Sequence, residues 1–181
     1  MYFRLIIFYL FIIMACAENN KTSNLEIPLR SEIDSKYKWD LTAVYATDAE
    51  WELDLEKLKN LYPEMGDFKG RLLSNPETLL ESIKLSETIN QYFGKLYHYA
   101  SNSLNADLTN EKYQEMVQRV RNVAIKSGEV TAYYTPEMLE SDYSVLEDFM
   151  NREPGLKVYE KDFKDMYIAK PYILSEKEEE S

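Results

Sequence analysis

From residue 51 onward, apolar residues recur at helical spacing. Trp51, Leu55, Leu58 and Tyr62 advance by four, three and four, which puts them on one face of an α-helix. Thr47 stands three before Glu50, the spacing of a capping box that opens this helix. Pro63 and Gly66 are expected to close it. A second helix opens at Ser74-Asn75-Pro76-Glu77, where a capping side chain, a first-turn proline and an acid follow one another. Its apolar face reads Leu79, Leu80, Ile83, Ile89, Tyr92, Phe93, Leu96 and Ala100, and the spacing predicts a helix to about residue 102. A third begins near Thr109-Asn110, carries Tyr113, Met116, Val117, Val120 and Ala124, and continues to Tyr133. Thr135-Pro136-Glu137 restarts a short helix, and Ser144 to Met150 gives another. Pro154 opens the last, with Leu156, Tyr159, Phe163 and Met166 on one face and Pro171 at its end. No stretch alternates with the period of a strand. The expected fold class is all-α, antiparallel helices joined by short loops, with no sheet.

Composition adjusts this picture only a little. Apolar residues make up 45% and charged residues 29% of the 181, the balance of one globular domain. The net charge of −11 repels phosphate backbones, so no nucleic-acid partner is expected. One cysteine excludes an internal disulfide framework.

That cysteine ends an apolar run. Leu5 to Met14 is unbroken and follows a single charge, Arg4. The run is short for a membrane span and suits the core of an export signal. Two processing sites fit. Ile13-Met14-Ala15-Cys16 resembles a bacterial lipobox, which would make residues 1–16 the signal and Cys16 a lipidated first mature residue. Ala15 and Ala17 also form an A-x-A site with cleavage before Glu18. The lipobox accounts for the position of Cys16. The expected location is therefore exported, periplasmic or held on a bacterial membrane by a lipid anchor. Residues 17–35 are polar and aperiodic, a flexible tether leading to a helical domain over 36–174. Within the tether Asn20-Lys21-Thr22 forms a glycosylation sequon, relevant only to a eukaryotic secretory route.

Ahead of the first helix stands an aromatic opening: Tyr37, Trp39 and Tyr45, with Trp51 inside the helix. Tyr37, Trp39 and Tyr45 are expected to pack back on Trp51 and Leu55. At the other end Ser175 stands three before Glu178, again a capping box, with acids filling the first turn and no apolar residue following Leu174. Residues 175–181 read equally as the start of a truncated helix or as a solvated acidic tail.

Chemistry is sparse. His98 is the only histidine, so a zinc helix with two histidines one turn apart cannot be built from this chain. A serine or cysteine triad lacks a pattern around His98, and there is no phosphate-binding glycine loop. No catalytic residue, metal ligand or cofactor is assigned to the chain.

An ordered series of motifs carries more. Tyr37-Lys38-Trp39-Asp40-Leu41, Val44-Tyr45, and Asp48-x-x-Trp51-Glu52-x-Asp54-Leu55 resemble the N-terminal opening of oligoendopeptidase F, in the M3 family of zinc metallopeptidases. Phe68-Lys69-Gly70, Leu96-Tyr97-x-Tyr99-Ala100-Ser101, Ala106-Asp107 and Tyr113-Gln114 follow in order. Lys170-Pro171-Tyr172-x-Leu174-Ser175-x-x-Glu178-Glu179 is similar to the family's link into its next helix. The resemblance spans roughly residues 28–180. It implies the N-terminal lobe of an all-α shell around a channel, and an enzyme that hydrolyses short peptides. It also implies one zinc in the full-length family member, held by the histidines of H-E-x-x-H and a glutamate on a later helix, with the motif glutamate as general base. Those ligands belong to the family's C-terminal half, so this chain is expected to be non-catalytic alone, to meet peptides through that missing half, and to end at a truncated helix start. Members are typically cytoplasmic, from which the export signal departs. The competing expectation is a stand-alone helical lipoprotein that binds peptides or a partner protein without catalysis.

Overall fold

The structure is a computed structural model and describes residues 28–29 and 32–172. The signal, the sequon, Cys16 and the capping box at Ser175 lie outside the described residues. Residues up to Lys38 and residues from Trp39 on form two separate units. In the first, a 3-10 turn over Ser35–Tyr37 is capped by the Asp34 side chain, which accepts from Lys36 N–H.

Among the described residues the second unit holds six α-helices: α1 (Asp48–Gly66), α2 (Pro76–Ala106), α3 (Glu111–Thr131), α4 (Tyr134–Glu140), α5 (Tyr143–Arg152) and α6 (Glu160–Ala169). The 3-10 turn Pro154–Tyr159 leads into α6, and a second, Lys170–Tyr172, follows it. No strand occurs among the described residues. The N-termini form where the capping chemistry stands. Thr47 Oγ1 accepts from Glu50 N–H at 3.4 Å, and the Glu50 carboxylate reaches back to Ala46 N–H at 3.1 Å. This is a capping box whose return bond lands one residue early. Asn75 caps α2 through Thr78 N–H at 2.8 Å, with Pro76 in the first turn. Asn110 caps α3.

Some boundaries differ from the expected ones. Pro63 does not end α1, which runs through it to Gly66. The proline removes one N–H donor, yet Tyr62 and Met65 on either side are buried, and their packing carries the helix across the missing bond. α2 extends to Ala106, because Ala100 and Ser103 still face the core. α4 starts one residue before Thr135, with no side-chain cap.

Polar contacts fix the helix directions. At the start of α1, Asp48 accepts from Tyr99 Oη at 2.8 Å near the end of α2. Glu52 takes both guanidinium nitrogens of Arg119 in the first half of α3, at 2.6 and 2.5 Å. At the far end of α1, the Met65 carbonyl accepts from Tyr133 Oη. α1 and α3 therefore run parallel, with α2 antiparallel between them.

Two hydrophobic cores result. One is centred on Trp51, Leu55, Leu58, Leu96, Ala100 and Val120, all fully buried. The other gathers Leu72, Leu79, Met138, Leu146 and Leu156, also fully buried, with Phe163. α2 serves both. Leu79, Leu80 and Ile83 enter the second core, and Ile89, Leu96, Tyr99 and Ala100 the first. Leu85 and Tyr134 touch each.

Two glycines matter here. Gly70 holds φ at +77°, where a side chain is strained. Its loop is tied down by Glu137, whose two carboxylate oxygens accept from Gly70 N–H at 2.8 Å and Leu72 N–H at 2.6 Å. Gly155 lets the backbone pass so near α2 that an added Cβ would stand 2.8 Å from a Leu80 methyl.

The aromatic opening is divided. Tyr45 and Trp51 are buried in the first core, and Trp51 Nε1–H donates to the Leu96 carbonyl at 2.9 Å. Trp39 does not pack back as expected: it is 72% exposed, and Tyr37 is 73% exposed. Tyr45 lies edge-on to Tyr99 with ring centroids at 5.3 Å, in the same core as Trp51.

Candidate functional site

Where the two cores approach each other, they leave a cleft of about 480 Å³. Five parts of the chain line it. Tyr62 and Met65 come from α1, the Ile83–Asn90 stretch from α2, Ser127 and Thr131 from α3, Tyr134 and Thr135 from α4, and Tyr159, Asp162, Phe163 and Met166 from around α6. Its size falls within the range of small-molecule and peptide side-chain sites.

Some hydroxyls of the cleft are oriented. Behind the wall, Ser82 Oγ, which is buried and does not line the cleft, donates to the Leu79 carbonyl at 2.8 Å, so its single proton is committed. Tyr134 Oη, 3.3 Å away, is then the donor of their shared bond. Tyr159 Oη donates to Glu87 Oε1 at 2.9 Å and joins α2 to the turn before α6. Burial pushes the phenols of Tyr62 and Tyr134 above their ordinary value. The Tyr159 phenol is also pushed up, first by burial, then by its bond to Glu87 and the charges of Glu87 and Asp162.

The residues singled out in the sequence do not line this cleft. Tyr45 and Trp51 belong to the core beyond it, Trp39 is at the surface, and His98 is exposed on α2 beside the Tyr97 ring. Tyr62, Ile83, Ile89, Tyr159, Phe163 and Met166 had been legible only as helix faces. Glu87 and Asp162 carry no local signal at all. Among the described residues no group of three or more His, Cys, Asp and Glu could hold a metal ion. The donors present do not make the zinc site that the resemblance implies, and no catalytic step is derived from them. No helix among the described residues is long and apolar enough to cross a membrane.

Relatives share this architecture. The N-terminal family model of M3 peptidases, described as Oligopeptidase F, matches residues 137–180. The chain is 35% identical over 151 residues to the Group B oligopeptidase PepB of Streptococcus agalactiae, covering 83% of this chain and 25% of that protein. The chain corresponds to the N-terminal segment of oligoendopeptidase F, in the M3 family. The plasmid oligoendopeptidase F of Lactococcus lactis subsp. cremoris is 37% identical over the same share of each chain. In fold, the crystal structure of a putative peptidase from Chlamydophila abortus superposes with a TM-score of 0.71 at 23% identity, covering 83% of this chain and 26% of that one. The oligoendopeptidase F of Enterococcus faecium gives 0.64 at 22% identity, over 71% and 26%. The chain thus spans about a quarter of the length of the curated relatives it matches. Within that quarter lie the paired cores and the cleft.

Proposed function

We propose that this chain is the N-terminal, non-catalytic part of an exported zinc metalloendopeptidase that hydrolyses short peptides. The observation that carries the reading is the 35% identity to a peptidase over 83% of the chain. Similarity over 151 residues reflects an extended segment rather than one shared motif. The zinc and its general base would come from residues outside this chain, and the lobe would contribute shape, excluding folded proteins from the catalytic centre. Export, through residues 1–16 with Cys16 lipidated, is part of the proposal.

A second reading is favoured by one feature: each core is closed by its own side chains, with fully buried leucines in both. A body of that kind could stand alone as a peptide-binding lipoprotein.

One experiment separates the two. Antibodies to residues 37–120 are used to precipitate the native protein from membrane and soluble fractions of the source cell. A quenched oligopeptide is then offered to the precipitate. The peptidase reading expects cleavage that a zinc chelator abolishes, in the membrane or periplasmic fraction. Precipitated protein that binds oligopeptides yet cleaves none would favour the second reading and overturn the first.

A further inference from the structure

Four aromatic rings line the cleft: Tyr62, Tyr134, Tyr159 and Phe163. Two carboxylates, Glu87 and Asp162, stand among them, and no Lys, Arg or His lines the cleft among the described residues. Ring faces attract cations, and so do carboxylates. Met65 and Met166 add flexible apolar wall suited to an alkyl stem. The chain's net charge of −11 draws cations toward it. A site that is aromatic, acidic and without a basic residue favours an organic cation on an apolar stem over an anion or a neutral group.

We propose that the cleft between the two cores binds a lysine or arginine side chain of a peptide, with the stem against the methionines and aromatic rings and the charge directed to Glu87 and Asp162. The inference rests on the reading above for the peptide as the source of the cation. It places a specificity site in this lobe itself. Glu87 and Asp162 are both exposed enough to exchange partners. Among the described residues only the Tyr159 hydroxyl bonds Glu87.

The test is a calorimetric titration of the full chain with end-blocked Ala-Lys-Ala, with end-blocked Ala-norleucine-Ala, and with butylamine. Norleucine keeps the stem and removes the charge. The lysine peptide should bind roughly tenfold more tightly than the norleucine peptide. Glu87→Gln combined with Asp162→Asn should erase that preference while leaving norleucine-peptide binding and the thermal midpoint in place. Tyr159→Phe, which frees Glu87 from its hydrogen bond, should strengthen lysine-peptide binding. Equal affinity for the two peptides would overturn the proposal, as would a preference that survives the double substitution. Butylamine binding as tightly as the lysine peptide would overturn the peptide source. Hydrolysis is not read in this titration, so its failure is distinct from a failed peptidase assay.

Discussion

Asp48 and Asp54 each join a tyrosine to a lysine. Asp48 accepts from Tyr99 and Lys112, and Asp54 from Tyr45, Lys57 and Lys95. Partial burial works against both charges, but the lysine and tyrosine bonds prevail and hold both carboxyls below their ordinary 3.8. A depressed folded-state pKa gives stability that is present above the unfolded value and lost as pH falls through the folded one. The thermal midpoint should therefore be flat from neutrality down to about pH 5 and fall below the unfolded carboxyl range. Asp54→Asn should lower the neutral plateau and shallow the acid decline, and a midpoint that falls as steeply as wild type below pH 4 (roughly the carboxyl range) would contradict this. The two tryptophans make a sharper contrast. Trp51 is fully buried, with its indole N–H bonded, so Trp51→Ala should cost about 3–5 kcal/mol by denaturant titration. Trp39→Ala, at an exposed position, should stay within about 0.5 kcal/mol. Here the sequence misled. A tryptophan's size argues for burial, but of the two nearby aromatics it is Tyr45 that enters the core with Trp51.

At the scale of elements, ends were easier to read than neighbours. Asn75, Pro76 and Glu77 announce α2 because capping is local chemistry, complete within four residues. Asn75→Ala should cost about 1 kcal/mol, measured as a shift in the unfolding midpoint. Pro63 was misleading, since tertiary packing on both sides of it outweighs a missing backbone bond. The role of Glu137 was invisible. It binds two backbone N–H groups more than sixty positions away, and nothing near it marks that loop. Glu137→Ala should cost roughly 2–3 kcal/mol for its pair of charge-assisted bonds. It should also raise amide exchange at Gly70 and Leu72 before it does so elsewhere. Uniform exchange along the chain would count against the clamp.

Over the whole molecule, periodicity identified the helical class and left the cleft unseen. Its walls come from positions as distant as Tyr62 and Met166. Helical spacing says which side of each helix is apolar, and it carries no statement of which helices meet or where their surfaces fail to close. The same helix faces were assigned to cores, correctly, without showing that there are two. Ile89→Ala and Ile83→Ala test that division, because they lie on one helix but in different cores. Each should cost about 2–5 kcal/mol. The first should loosen amide protection mainly around Trp51 and Val120, and the second around Met138 and Leu146. Identical exchange patterns for the two variants would mean that the cores do not open separately.

α2 is a beam loaded at both ends. At about 1.5 Å per residue its 31 residues span roughly 46 Å, so a bend of about 1° at mid-length swings one tip by roughly 0.4 Å relative to the other half. The cleft opens beside the half of the rod that precedes its midpoint, between Ile83 and Asn90. A flexure too small to disturb any one side chain near the cleft is magnified with distance, and its largest displacement falls at the rod's extremities.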